Sequence, residues 1–154
     1  MTDNRVLVMD HGQEAVFCNR SDGMAFSMFR QAKIPALILS TEKNPVVAAR
    51  GLKLQVPVLQ NIPDKAAALR EYCSQLGVDL QDVLYAGNDL NDFAAMSLVG
   101  MPVCPVDAHP RIQEISRVVL RSAGGAGVAR EVAEDLLGLD YVSLGKATGS
   151  GVPK

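Results

Sequence analysis

The chain has few of the residues that mark disulfide-rich, nucleic-acid-binding or membrane-spanning proteins. Its 154 residues include three cysteines, no tryptophan and only 5% aromatic residues, and the net charge is −2. Cys18, Cys73 and Cys104 are too few and too scattered for a disulfide framework or a Cys-x-x-Cys metal site, so we expect small core residues in a reducing compartment. The charge gives no electrostatic case for binding nucleic acid. No apolar run reaches membrane-spanning length and no signal-peptide pattern opens the chain, which predicts a cytoplasmic protein without a membrane partner.

The remaining composition and patterning are those of an α/β domain. A hydrophobic content of 48% with 21% charged residues is enough to bury a normal core. Short apolar runs alternate with helical patterns, which indicates a mostly parallel sheet flanked by helices. We expect one domain over residues 1–140, with a β-hairpin at about 5–18 and a flexible tail over 141–154. The predicted strands are 36–39, 56–59, 83–86, 103–106 and 118–120; the predicted helices are 24–32 (capped by 21–23), 44–52, 64–76, 90–98, 110–116 and 128–137.

The densest polar cluster is Gly87-Asn88-Asp89-Leu90-Asn91-Asp92, between a predicted strand and a predicted helix. Open α/β sheets place their ligand crevice at the carboxyl ends of such strands. Two carboxylates and two amides there suit a hard cation such as Mg²⁺, which takes few protein carboxylates and keeps several waters. The alternative is a plain strand-to-helix turn in which Asn88 or Asp89 caps the helix.

Two distant residues favour a phosphate site at the same edge of the sheet. Ser40 ends one predicted strand, and Lys65 begins the helix that runs to Leu76. A hydroxyl, an ammonium group and the partial positive charge of a helix amino end can converge on one phosphate. Each residue also has a plain structural interpretation, in which Ser40 caps the next helix and Lys65 is a solvated first-turn lysine.

At these positions the chain resembles the haloacid dehalogenase (HAD) superfamily of phosphotransferases. Ser40, Lys65 and residues 87–92 look like the second, third and fourth motifs of that superfamily. Within it, the chain resembles the 3-deoxy-D-manno-octulosonate 8-phosphate phosphatases. It equally resembles the phosphatase-like domains attached to acylneuraminate cytidylyltransferases. The segments that carry this closer resemblance are 18–23, 39–50, 106–110 and 124–132.

The resemblance implies a Rossmann-like HAD fold with a small β-hairpin flap and no large cap domain. It also implies a homotetramer that hydrolyses a phosphorylated acidic sugar, of the octulosonate 8-phosphate or nonulosonate 9-phosphate type, with Mg²⁺ and through an aspartyl-phosphate. The implied roles are catalytic for Ser40 and Lys65, metal-binding for Asp89 and Asn88, supporting for Asp92, Asn91 and Gly87, and substrate-binding for Asp22, Gly23 and Arg130.

The sequence departs from the family in two places. The Asp-x-Asp-Gly motif, whose first Asp is the nucleophile, does not occur, and residues 2–8 look like the segment that family members carry just after that motif. We therefore expect a misplaced start codon or a shortened polypeptide, inactive as written. The second departure is Asn88, where many active relatives have Asp, so weaker Mg²⁺ binding is expected. Both departures also fit an alternative, a non-catalytic phosphatase-like oligomerisation domain associated with acylneuraminate cytidylyltransferase.

Asp10 imitates a nucleophile at the end of the apolar run 5–9. Gly12 stands where the acid/base carboxylate would be needed, and a second extended run comes next, so a hairpin turn at 10–12 is expected. In this family the nucleophile strand is central, and its loss leaves neighbouring strands with costly unpaired backbone groups. Two outcomes stay open: residues 6–9 take the central place, or the chain folds poorly alone.

Overall fold

The computed structural model of the chain describes residues 2–147. Its α-helices are Ser21–Gln31 (α1), Val46–Leu54 (α2), Lys65–Leu76 (α3), Phe93–Met96 (α4), Pro110–Ile115 (α5), Val128–Glu131 (α6) and Tyr141–Ala147 (α7). Its strands are Leu7–Val8 (β1), Glu14–Ala15 (β2), Ile38–Leu39 (β3), Val58–Leu59 (β4), Leu84–Ala86 (β5), Met101–Cys104 (β6) and Val118–Val119 (β7). The alternation of helices and parallel strands confirms the predicted fold class.

The predicted flap hairpin is present. β1 and β2 are antiparallel, with Leu7 opposite Ala15. The turn closes through hydrogen bonds from Met9 N to Gln13 O (2.8 Å) and from Gly12 N to Met9 O (3.0 Å). Gly12 has a φ of 82°, which a residue with a Cβ adopts only with strain. Asp10 therefore belongs to a turn, as its sequence context predicts.

The parallel strands form two sheets, β3–β4 and β5–β6–β7. Among the described residues, no strand joins β3 to β5. Residues 6–9 do not take that place, because Leu7 and Val8 pair with β2 and their side chains are more than half exposed. This contradicts the first of the two outcomes foreseen from the sequence; poor folding of the chain alone stays a prediction.

Two buried clusters flank these sheets. One lies on α1 and α6 and contains the fully buried Met28, and the other lies on α3, α4 and α5 and contains the fully buried Met96. Burying such a side chain contributes roughly 1.5–3 kcal/mol, so these clusters are the main source of stability. Within residues 2–147 no helix combines the length and apolarity needed to cross a bilayer.

The structure corrects the predicted boundaries at both ends of the domain. Ser21, Asp22 and Gly23 form the first turn of α1 and do not cap it, because Asn19 Oδ1 accepts the Ser21 N–H (2.9 Å). The tail expected from residue 141 begins instead with helix α7; residues 148–154 lie outside the described residues.

Strand β6 and helix α6 both end earlier than the sequence predicted. β6 covers residues 101–104 instead of 103–106, because Pro105 has no N–H to continue the ladder. After α6, residues 132–136 widen into a π-helical turn, with Leu137 N donating to Val132 O (3.0 Å).

Candidate active site

Lys65 is a buried lysine at the start of a helix. Asp64 is the residue before α3, and its carboxylate accepts the Ala67 N–H (2.9 Å), which fixes the first helical turn. This turn directs Lys65 inward, where its side chain is only 8% exposed and its Nζ lies 2.6 Å from Asp92 Oδ1. A buried ammonium group needs such a partner because the charge is otherwise unsolvated.

Asp92 connects three parts of the site. Besides Lys65, its Oδ1 accepts the Tyr85 hydroxyl (2.9 Å), and its Oδ2 accepts the backbone N–H groups of Asn88 (2.9 Å) and Asp89 (3.4 Å). Burial raises the pKa of Tyr85 far above its ordinary value, and the Asp92 charge raises it further. Both Asp92 oxygens are thus engaged within the protein, so its carboxylate is placed to hold Lys65 and the 87–92 loop.

Gly87 allows the loop to lie directly on Asp92. A Cβ added at Gly87 would lie 2.5 Å from Met96 Sδ, 2.7 Å from Asp92 Cβ and 2.9 Å from Asp92 Cγ. These distances are shorter than van der Waals contacts, so a side chain at position 87 would displace Asp92. The glycine is required by this close approach.

An oxygen-lined cavity of about 130 Å³ lies beside this loop. Asn88 and Asp89 line it, and the Asn88 carbonyl accepts the His109 N–H (2.9 Å), which ties the loop after β5 to the loop after β6. Asp89 Oδ1 accepts the Leu90 N–H (2.7 Å), so Asp89 also has the capping role foreseen as the alternative. The full lining is Thr2, Asp3, Asn4, Asn88, Asp89, Asp107, His109 and Gly124.

The donor chemistry of this cavity suits a hard cation. Among residues 2–147, no group of three or more His, Cys, Asp and Glu side chains is arranged as a metal site. Mg²⁺ does not require one, since it commonly uses one or two carboxylates and retains waters. Asp89 and the Asn88 amide can provide this small set.

Asp107 is a cavity residue to which the sequence assigned no role. It follows β6, as Asp89 follows β5, and its Oδ1 accepts the Gly124 N–H (2.8 Å). The position of Asp107 after a parallel strand could have indicated a place in the site. The sequence did not show, however, that β6 lies next to β5.

Ser40 is linked to the 87–92 loop through the next residue, Thr41. Its Oγ accepts the Glu42 N–H (3.1 Å) and its backbone N–H donates to Leu59 O (2.8 Å). The next residue, Thr41, accepts a hydrogen bond at Oγ1 from Asn91 Nδ2 (3.2 Å). The loops after β3 and β5 are therefore in contact, and Ser40 lies at that junction.

The predicted substrate-binding residues Asp22, Gly23 and Arg130 do not line the cavity. Arg130 pairs with Glu134 (Nη2 to Oε1, 2.5 Å) in a separate cleft of about 470 Å³. Gly23 lies within α1, and Asp22 Oδ1 accepts the Ala129 N–H at the start of α6 (3.0 Å). Their substrate-binding role stays a prediction, and Asp22 has a structural role in joining α1 to α6.

Replacing Asp22 tests that structural role. Burial raises the pKa of Asp22 above its ordinary value of 3.8, so the folded chain holds this proton more tightly than the unfolded chain. Stability should then fall as the pH rises from about that ordinary value through the raised pKa. Asp22→Asn keeps an acceptor for Ala129 and removes the charge, so its free energy of unfolding should equal or exceed that of the parent at pH 7, with a difference that shrinks at low pH.

Asp22→Ala is the matched control. It leaves the Ala129 N–H without its acceptor and should cost about 1–3 kcal/mol at both pH values. Urea unfolding at pH 7 and at low pH measures both variants. Equal losses of unfolding free energy for Asp22→Asn and Asp22→Ala at pH 7 would contradict the proposed structural role of Asp22.

Comparisons with known proteins show the family of the chain. Residues 42–132 match the family model of the haloacid dehalogenase-like hydrolases. The chain is 31% identical over 153 residues to the 3-deoxy-D-manno-octulosonate 8-phosphate phosphatase KdsC of Escherichia coli strain K12, covering 99% of this chain and 81% of that protein.

Solved structures agree in fold. A candidate HAD family hydrolase from Streptomyces avermitilis MA-4680 is 44% identical, with a TM-score of 0.87 over 93% of this chain and 80% of that one. The 3-deoxy-D-manno-octulosonate 8-phosphate phosphatase of Moraxella catarrhalis is 23% identical, with a TM-score of 0.86 over 97% of this chain and 86% of that one; its structure contains a magnesium ion, a phosphate ion and the sugar acid.

Proposed function

Because the chain belongs to the haloacid dehalogenase-like hydrolases, and within them to the 3-deoxy-D-manno-octulosonate 8-phosphate phosphatase-like group, we propose that it forms the phosphate- and metal-binding part of a sugar-acid phosphatase. The observation that carries the proposal is the buried Lys65–Asp92 pair, whose Asp92 carboxylate accepts the N–H of Asn88, a residue that lines the oxygen-lined cavity. The substrate class is a phosphorylated acidic sugar of the octulosonate or nonulosonate type.

Lys65 and Ser40 are proposed to hold the phosphate. Asp92 keeps the Lys65 ammonium group in a fixed position, which avoids the entropy loss of ordering a free lysine when substrate binds. The Ser40 hydroxyl can donate to a phosphate oxygen while its Oγ still accepts from Glu42 N. Fixed donors of this kind stabilise the charge of a phosphoryl group in transfer.

Asp89 and Asn88 are proposed to hold Mg²⁺, the cation that phosphatases of this superfamily use. When bound, the cation would neutralise negative charge on the phosphate oxygens. The residues of this chain supply the oxygen donors, and the hydrogen bond from His109 N to the Asn88 carbonyl fixes the loop that carries them.

We propose that none of the 154 residues is the family's nucleophile. The 154 residues contain no Asp-x-Asp-Gly, and Asp10 lies in the flap turn. We propose that the polypeptide as written does not turn over phosphomonoesters and that a strand ending in this motif is needed for the family's aspartyl-phosphate chemistry. The tetramer and the cytoplasmic location also stay predictions.

An activity assay tests the proposal. A variant extended at its amino end by a strand carrying Asp-x-Asp-Gly should hydrolyse 3-deoxy-D-manno-octulosonate 8-phosphate with Mg²⁺, and the 154-residue chain should not. Lys65→Met in the extended variant should lower kcat/KM by at least about 100-fold, because a positioned charge on the transferring group is lost. A folded extended variant without Mg²⁺-dependent turnover of phosphorylated sugar acids would contradict it.

Asn88→Asp should strengthen Mg²⁺ binding. The change adds one negative charge next to Asp89 without changing side-chain size, which should lower the Mg²⁺ dissociation constant roughly tenfold. Isothermal titration of Mg²⁺ into the 154-residue chain measures this without any turnover. Asn44→Asp, a change of the same kind in the loop before α2, should have no such effect; equal responses of both variants would rule out a specific site.

A non-catalytic role beside an acylneuraminate cytidylyltransferase is the second candidate, favoured by Asn88 and by the lack of a nucleophile motif. It predicts that the extended variant folds and assembles but has no phosphatase activity. The assay above therefore separates the two functions.

A further inference from the structure

The Asp92 carboxylate accepts hydrogen bonds at both oxygens from groups that the structure describes. Oδ2 accepts from the backbone N–H groups of Asn88 (2.9 Å) and Asp89 (3.4 Å), both in the 87–92 loop. Oδ1 accepts from the Lys65 ammonium group (2.6 Å) and from the Tyr85 hydroxyl (2.9 Å). A carboxylate offers about four lone-pair directions, so these donors fill them. The Tyr85 hydroxyl therefore leaves Lys65 a single direction at Oδ1.

Tyr85 is the donor that the sheet holds in place. It is the middle residue of β5, lies opposite Pro102 of β6, and is only 9% exposed. Its side chain belongs to the buried cluster that contains Met96, and a packed ring with two rotatable side-chain bonds has a well-defined hydroxyl position. Lys65, in contrast, reaches Asp92 on a flexible four-carbon stem. Tyr85 thus fixes the direction of Asp92 Oδ1 relative to the sheet.

The Tyr85 hydroxyl is not placed to act on a substrate itself. Its proton is donated to Asp92, and Tyr85 does not line the oxygen-lined cavity. Burial and the negative charge of Asp92 raise the pKa of Tyr85 far above its ordinary value, so the hydroxyl stays protonated at neutral pH and keeps donating. Any effect of Tyr85 on a bound phosphate must therefore pass through Asp92.

We propose that Tyr85 is a positioning residue, whose hydroxyl occupies one direction at Asp92 Oδ1 and so confines the Lys65 ammonium group to the other. An ammonium group has three N–H donors, and Asp92 accepts one of them. Fixing that bond limits the directions of the other two, which can then meet a phosphate oxygen without a further loss of entropy. The confinement of Lys65 is a property of the folded chain, whereas its effect on phosphate rests on the proposed function.

Tyr85→Phe in the 154-residue chain tests the confinement, because it removes the hydroxyl and keeps the ring that fills the core. NMR relaxation of the Lys65 Cε–H bonds measures the motion of the lysine end. Their order parameter should fall from a rigid value of about 0.85 to below about 0.6. Tyr85→4-aminophenylalanine restores a donor at this position and should restore the rigid value. Tyr72→Phe, on the same helix as Lys65, is the matched control and should leave it unchanged.

Binding measurements with inorganic phosphate and with Mg²⁺ test the consequence for the site. Tyr85→Phe should raise the dissociation constant of phosphate, measured at saturating Mg²⁺, by at least about fivefold, because the charge of Lys65 is no longer directed. The dissociation constant of Mg²⁺ should be unchanged, since the N–H groups of Asn88 and Asp89 donate to the other oxygen of Asp92. Isothermal titration of the parent chain and of the variant measures both constants.

The outcomes separate positioning by Tyr85 from a general structural role and from the proposed function. Unchanged order of Lys65 in Tyr85→Phe, an equal fall in Tyr72→Phe, or no recovery with 4-aminophenylalanine overturns the inference. Equal weakening of phosphate and Mg²⁺ binding would show that the whole 87–92 loop had moved, and phosphate binding that is unchanged in the variant would show that Lys65 needs no confinement; either result also overturns it. A fall in Lys65 order in a chain whose parent binds no phosphate supports the confinement and counts against the proposed function.

Discussion

Lys65→Ala should lower the free energy of unfolding by about 3–5 kcal/mol, because it leaves the buried Asp92 carboxylate without its counter-charge. Tyr85 and the loop N–H groups would still donate to Asp92, but they carry no full charge. The effect is that of an uncompensated charge, not of lost side-chain volume. Lys65→Met, which keeps most of the volume, should therefore be almost as destabilised in urea unfolding.

Two further variants identify the cause. Lys65→Met combined with Asp92→Asn removes both charges while keeping an acceptor for Tyr85, and should recover a large part of the loss. Lys43→Ala removes an exposed lysine and should change stability by no more than about 0.5 kcal/mol. A double variant as unstable as Lys65→Met would show that the charge of Asp92 is not the cause.

Gly87→Ala should cost about 1–3 kcal/mol by overpacking, since the new Cβ would lie 2.7 Å from Asp92 Cβ. The contact matters for the site because it moves the residue that holds Lys65. The loss in combination with Lys65→Ala should be clearly smaller than the sum of the two single losses, since both changes act through Asp92. Urea unfolding of the two single variants and the double variant measures this coupling.

Gly23→Ala is the matched glycine control for stability. Its added Cβ would come no closer than 3.8 Å to Leu54 Cδ2, and Gly23 lies inside α1, where alanine is the better helix former. This variant should be as stable as the parent or slightly more so. If the losses of unfolding free energy for Gly87→Ala and Lys65→Ala added strictly in the double variant, the two changes would not act through Asp92.

The local sequence pattern was sufficient to predict much of the fold and the residue types of the candidate site. The start of α3 at Lys65 follows from the Asp64 cap, and the hairpin follows from two extended runs around Gly12. The polar loop 87–92 follows a short apolar strand, so its place at the end of β5 could be predicted. These features depend on neighbours in sequence, whose spacing is visible in the chain itself.

The sequence was least informative where the outcome depended on distant neighbours. It predicted a tail from residue 141, but Tyr141–Ala147 form a helix. The resemblance gave Arg130 a substrate-binding role, which stays a prediction; within one subunit Arg130 lies in the cleft beside Glu134. The sequence also assigned Asp107 no role, because the closeness of Asp107 to Asp89 arises only from the pairing of β5 with β6.

The sequence by itself determined the chemical groups of the proposed site, since the hydroxyl, the ammonium group and the carboxylates are set by residue type and order. Only the tertiary structure decided how they are held: Lys65 is buried against Asp92, 27 positions away, and the loop after β3 meets the loop after β5 through Thr41 and Asn91. It also decided that β3 and β5 each have an unpaired edge among the described residues. The reason is physical: the free energy of burying a charge or pairing a strand depends on groups brought together by packing, and sequence spacing does not report those groups.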